Sequence, residues 1–230
     1  MKIIIANAIV GSVLYRLNDK NSDVDRFVIE ASAPEWFVGS KSGAGITSHK
    51  LPEGDMVVAE LSKFVDMIGR GTPNAIDALY SDMLSLSSLY FGELRGMDRF
   101  LLSKQVYPKY KGYARKELLQ IQKHFAAGCS IMTQDALSKS KARAMRVAMH
   151  GTRLLNDGCL IPYITQEEID ICRGMASVET SEAIRLIEME LAELDKAMEN
   201  TKLSEFPSLD AVDSWLADVY MSIWNRMLAK

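Results

Sequence analysis

Cysteine is scarce. The chain has three in 230 residues, Cys129, Cys159 and Cys172, an odd number without the paired spacing of a structural metal site. That excludes a disulfide-built scaffold. It is the usage of free thiols in a reducing compartment, so a cytoplasmic protein is expected. Long apolar runs are also missing. The N-terminal MKIIIANAIVG is apolar for only about ten residues, against the roughly 20 a spanning helix needs, and it carries no cleavage site. It reads as a buried first strand, and no membrane partner is expected. Excess positive charge is absent too: 27 Lys and Arg stand against 30 Asp and Glu, a net charge of −3. Proteins that wrap nucleic acid are usually more basic, so strong duplex binding is not expected, and a small substrate or a local basic site on an acidic body is. There is no internal repeat and no low-complexity tract. What remains, 48% hydrophobic and 25% charged residues, is an ordinary globular chain long enough for one large domain or two small ones.

The stretch with the most chemistry is Gly11–Ile29, GSVLYRLNDKNSDVDRFVI. Asp23 and Asp25 are separated by one residue. In extended backbone, alternate residues share a face, so both carboxylates project together. Paired carboxylates repel unless a proton or a cation lies between them, and a hard divalent cation such as Mg²⁺ is the usual solution near phosphates. Gly11 lets backbone approach a ligand closely, and Ser12 adds a hydroxyl and an N–H for a phosphate oxygen.

Along the chain, Lys2–Val10 and Val24–Glu30 read as strands, with Val13–Leu17 a short helix or strand between them and Asn18–Ser22 a turn. Residues 31–49 read as a mobile loop over the site. Their SKSGAG segment competes as a phosphate cradle but lacks the GxxxxGK[ST] pattern. Gly54–Ala59 is a third strand, and Leu61–Ile68 has helical spacing. Thereafter helices are predicted over 75–80, 87–105, 112–128, 133–156, 166–173, 179–199 and 208–228. The fold class is therefore α+β: a small mixed-sheet head over residues 1–80, then a mostly helical body over 81–230. The thirteen methionines read as adaptable core filler, with a Met-rich partner groove as the alternative.

G-S, about a dozen residues, then S-D-x-D and an apolar run resembles the signature of the DNA polymerase β-like nucleotidyltransferase superfamily. The longer GSxxYxLxxxxSDxDxxxV resembles its predicted bacterial and phage branch. Further stretches match that branch in order: DMVVAELSKFVDMIGRGTPNAIDALYS, ELRGMDRFLLSKQVYPKYKGYARKEL and KARAMRVAMHGTRLLNDGCLIP. One departure is that relatives usually carry a helix ahead of the first strand, whereas this chain starts at Lys2.

The resemblance implies a carboxylate triad holding two Mg²⁺ (or Mn²⁺) ions, one activating the attacking oxygen and one holding the triphosphate. Asp23 and Asp25 match the pair. Asp55, which opens the third strand, is the expected third ligand, with Glu60 as the rival that could instead cap the next helix. Gly11, Ser12 and Ser22 would contact nucleotide. Lys104, Tyr110, Tyr113 and Arg115 form a basic-aromatic cluster that could stack on a base and hold phosphate, or be ordinary core and surface. On one long helix, His150 and Arg153 share a face, with Lys141 about two and a half turns earlier and Arg143 and Arg146 adding charge. His150 could act as acid or base, or pack in an apolar run.

The expected function is metal-dependent transfer of a nucleoside monophosphate from an NTP to a hydroxyl on a small molecule, RNA end or protein. One alternative is a phosphohydrolase acting on (deoxy)nucleoside monophosphates with the same residues, which an extra base such as His150 would favour. The other is a non-catalytic nucleotide-binding partner protein, against which the retained carboxylates argue.

Overall fold

The computed structural model describes residues 2–18, 22–38, 45–128, 131–161 and 163–229. Cys129 and residues 39–44, which hold SKSGAG except its last glycine, lie outside them, so the cradle reading and part of the loop reading fall outside the described residues. Contacts group the chain into two compact units. The first is Met1–Gly69, Asn74–Leu101 and Phe206–Lys230, and the second is Arg70–Pro73 and Leu102–Glu205. This grouping differs from a division at residue 80, because the C-terminal segment returns to the sheet.

In the first unit the elements run β1 (Lys2–Ile9), α1 (Gly11–Leu14), β2 (Arg26–Ser32), α2 (Glu35–Val38), β3 (Ile46–Leu51), β4 (Gly54–Glu60), α3 (Leu61–Gly69), α4 (Pro73–Tyr80), β5 (Leu84–Ser87), α5 (Leu89–Arg95) and α6 (Asp98–Leu101). The five strands form one mixed sheet in the order β3-β4-β2-β1-β5. β2 and β4 run parallel, and the other neighbours are antiparallel. β2 is central and reads FVI because both its faces are covered. Phe27 meets Phe64 of α3 at 5.4 Å between ring centroids, and Phe64 in turn meets Phe91 of α5 at 6.4 Å.

Three local expectations change. Part of the predicted loop is an edge strand, β3, and every residue of its ITSHKL is exposed. With neither face buried, it carries no apolar alternation to read. The helix predicted over 87–105 is β5 plus two short helices, α5 being capped by Ser88, whose side chain accepts from Phe91 N, and ending at Gly96. The helix predicted from 112 begins at Val106, with Pro108 in its first turn, where no N–H partner is needed.

The second unit is a helical body: α7 (Val106–Ala126), α8 (Gln134–Asp157), α9 (Gln166–Gly174) and α10 (Thr180–Asn200). α8 ends in a left-handed Gly158, and α9 opens on a Thr165–Glu168 capping box. α7, α8 and α10 close together at Gly151, where a Cβ would lie 2.9 Å from Tyr110 Cβ and 3.0 Å from Leu194 Cδ1. Gly151→Val is therefore expected to destabilise this unit by about 1–3 kcal/mol, the usual cost of overpacking. Denaturant melts followed by far-UV dichroism check it. The last helix, α11 (Asp210–Leu228), belongs to the first unit, where Trp224 Nε1 donates to Ser32 O at 2.9 Å.

Among the described residues, no helix is long and apolar enough to cross a membrane.

Candidate active site

The two central parallel strands set the site. Arg26 of β2 pairs with Met56 of β4, so one step earlier Asp25 lies beside Asp55 at the entry of both strands. The end of β1 joins them through Val10 N, which donates to Asp25 O at 2.9 Å. The Asp25 carboxylate is held by backbone: Asp55 N donates to its Oδ1 at 3.0 Å. Its other oxygen faces Gly11. A Cβ built on Gly11 would sit 2.4 Å from Asp25 Oδ2, and Gly11 has φ +70°. Only glycine meets both demands, so the glycine of the G-S pair exists for the carboxylate across from it. Gly54 has the same logic one strand over. Its φ is +144°, and a Cβ there would lie 2.5 Å from Val24 O. Glu53 O accepts from Val24 N at 2.8 Å. This backbone clamp was not foreseen from the sequence, although the turn signal Pro52-Glu53-Gly54 was there to find it.

Asp23 and Asp55 are exposed, and Asp25, Ser22, Gly11 and Ser12 are half-buried. Two aspartates brought together on adjacent strands, one of them packed against a glycine that has no Cβ to displace it, are hard oxygen donors of the kind Mg²⁺ or Mn²⁺ takes. Among the described residues, no group of three His, Cys, Asp or Glu side chains is close enough to hold a metal ion. The structure thus pairs Asp25 with Asp55, and Asp23 lies two residues before Asp25 on the exposed approach.

Glu60, the rival third ligand, is elsewhere. It ends β4 five residues after Asp55, roughly 16 Å along the strand. It is buried at 1% exposure. Its carboxylate accepts from Ser32 N at 3.2 Å, Ser32 Oγ at 2.5 Å and Tyr220 Oη at 2.5 Å. Tyr220 Oη also accepts from Ser62 N at 3.2 Å, and burial followed by the bond to Glu60 pushes its phenol well above the usual tyrosine value. Glu60 is a structural acceptor that ties α11 to the sheet.

In the second unit, Lys141 is buried and its Nζ donates to Val178 O at 2.8 Å. Arg153 donates to Glu168 at 2.8 Å and to Tyr163 O at 2.5 Å. Glu117 is shared by Ser140 at 2.9 Å and Arg143 at 3.2 Å. Lys104, 30% exposed, faces Glu205 at 3.5 Å. Tyr110 is buried, Tyr113 half-buried and Arg115 exposed. His150 is fully buried, edge-on to Tyr163 at 5.4 Å between centroids. Burial, then the charges of Arg146 and Arg153, holds its imidazole well below the usual histidine value, hence neutral.

The sign of that shift makes a prediction. The unfolded chain takes up a proton at His150 near pH 6.5 and the folded chain does not, so stability falls as pH drops below about 6.5, by up to about 1.4 kcal/mol per pH unit. His150→Phe should flatten the acid limb of melting temperature against pH. A limb unchanged by the substitution would mean that another group causes it.

A family model described as the RNA repair pathway DNA polymerase beta family (RlaP) matches residues 1–211. Among solved structures, the chain is similar to a nucleotidyltransferase-like protein from Exiguobacterium sibiricum 255-15. Identity is 10% and the TM-score is 0.30, covering 85% of this chain and 69% of that one. No curated protein matches. The family match takes in the whole sheet and the helical body up to the start of α11, and on that match the chain belongs to the RlaP family, a group of polymerase β-type nucleotidyltransferases.

Proposed function

We propose that the protein transfers a nucleoside monophosphate from an NTP to a hydroxyl at an RNA end, in a reaction that depends on Mg²⁺ or Mn²⁺. The observation that carries this reading is the juxtaposition of Asp25 and Asp55 at the entry of β2 and β4, with Gly11 shaped around the Asp25 carboxylate. The family's description as an RNA repair pathway favours RNA as the acceptor over a small molecule or a protein.

Asp25 and Asp55 would hold the cation, and Asp23, exposed two residues before Asp25, would join them only by turning its side chain toward the pair. A divalent ion bound there supplies Lewis-acid activation of the attacking hydroxyl and neutralisation of the triphosphate. The chain's own share is positioning. The Asp55 N–H fixes one Asp25 oxygen, so that carboxylate is oriented before substrate arrives. Gly11 lets the other Asp25 oxygen pack against the backbone, and Ser12 follows it with a hydroxyl and an N–H suited to a phosphate oxygen. Lys104 and Tyr113 belong to the second unit, where Lys104 faces Glu205. Lys141 and Arg153 already serve Val178, Tyr163 and Glu168 within their own unit. The hydrolase alternative leaned on His150 as a base for water, and a fully buried, neutral imidazole does not favour it.

The test is incubation of the protein with each NTP, Mg²⁺ or Mn²⁺, and an RNA with a free or a blocked 3′ hydroxyl, with products read by mass spectrometry. Pyrophosphate and RNA heavier by one nucleotide, only with the free hydroxyl, support the proposal. A parallel incubation with each nucleoside monophosphate that gave inorganic phosphate and free nucleoside would replace transfer by hydrolysis.

A further inference from the structure

A groove of about 450 Å³ opens in the second unit between α8, α9 and α10. Its floor is Met145 and Met175, 5% and 2% exposed, and its walls rise to Ile171 and Met189, which are 39% and 53% exposed. Methionine is unbranched and polarizable, so a surface lined with it adapts to the side chains of a partner. Gly174 lies on the rim, and a Cβ built there meets nothing within 4 Å. The groove is therefore open at that point.

The charged residues that line it are both acidic. Glu190 and Glu193 are in the wall. Thr152 Oγ1 lies 3.0 Å from Glu190, and Glu193 is paired with Lys196 at 2.6 Å on the exposed side. Residues 166–200, which build α9 and α10, hold ten Asp and Glu against three Lys and Arg. The whole chain is only −3, so the rest of it is net positive and the acid is concentrated here. Arg185, the basic residue beside Met189, is taken up by Glu182 at 2.6 Å.

An apolar trough between helices with an acidic wall is complementary to a helix with one apolar and one basic face, the helix-in-groove mode of recognition. We propose that this groove docks a basic amphipathic helix of a partner protein, its apolar face on Met145, Met175 and Met189 and its lysines or arginines against Glu190, Glu193 and the acidic surface around them. The groove is separate from the carboxylates of the first unit, so the proposal stands or falls apart from the transfer reaction.

The probe is a fluorescent synthetic helix of Leu and Lys, with Leu at helical spacing, titrated with the full-length protein and read by anisotropy. Its counterpart replaces every Lys by Glu. Saturable binding of the Lys peptide alone, weakened by salt, is expected. Gly174→Trp fills the open rim and should weaken binding at least about tenfold, the scale of losing one anchor. Glu190→Lys with Glu193→Lys should do the same by charge, and it serves if the tryptophan variant does not fold. Equal binding of both peptides, no saturable binding, or variants that bind like wild type would each overturn the proposal. So would a dimer in sedimentation that Gly174→Trp converts to monomer, since that assigns the groove to a second copy of this chain.

Discussion

Asp25→Asn is expected to lower nucleotidyl transfer by roughly 10²–10³-fold or more, with no loss of melting temperature. Asparagine keeps the shape of the side chain and can still accept from Asp55 N through its oxygen, so the clamp between β2 and β4 survives. Only the negative charge is removed. A preorganised charge in an active site is worth about that factor, and more when it also holds a cation. Asp55→Asn should follow the same pattern. Rates at saturating NTP, with the metal varied, separate a lost cation from a lost substrate: added Mn²⁺ should recover part of the activity. A variant that unfolds while its rate per folded molecule is unchanged would make Asp25 a structural residue.

Glu60→Leu is expected to do the opposite, destabilising the first unit by about 3–5 kcal/mol while leaving the metal dependence of the folded fraction unchanged. Removing this carboxylate strands three buried donors, Ser32 N, Ser32 Oγ and Tyr220 Oη. Each buried donor left without an acceptor costs about 1–3 kcal/mol, partly recovered by relaxation. Tyr220 also packs edge-on to Phe37 at 5.2 Å and tilted to Trp224 at 5.5 Å between ring centroids, so loosening it frees α11 from the sheet. Urea melts of Glu60→Leu, Tyr220→Phe and the double variant give the coupling directly, and a double variant milder than the sum of the singles is expected. If Glu60→Leu were as stable as wild type but lost its response to Mg²⁺, Glu60 would be a metal ligand after all.

The contrast between these two acids shows what the sequence could and could not tell. Asp55 and Glu60 bracket one short strand, and only their position in the pattern favoured Asp55. They differ in partners that come from distant segments: Val24–Asp25 at one end of the strand, Ser32 and Tyr220 at the other. A two-residue period put Asp23 and Asp25 on one strand face, whereas β2 begins only at Arg26 and the strands bring Asp25 to Asp55 instead, a partner from another segment. β1, β2, β4 and the long helices were legible, since each buries one face or both and so shows a period. β3 was not, being exposed on both faces, and neither was the return of α11, a contact across most of the chain. His150 has the spacing of a functional residue relative to Arg153. Its burial beside Tyr163 depends on how α8 packs, which no spacing reports.

The most direct measurement is Mn²⁺ binding, followed by electron paramagnetic resonance, to wild type, Asp25→Asn and Glu60→Gln without nucleotide, since a triphosphate chelates Mn²⁺ by itself. It needs no knowledge of the acceptor. The account predicts that wild type and Glu60→Gln remove free Mn²⁺ signal at the same concentrations and that Asp25→Asn does not. Equal binding by wild type and Asp25→Asn would contradict it, and would mean that the paired carboxylates on β2 and β4 are not the metal centre.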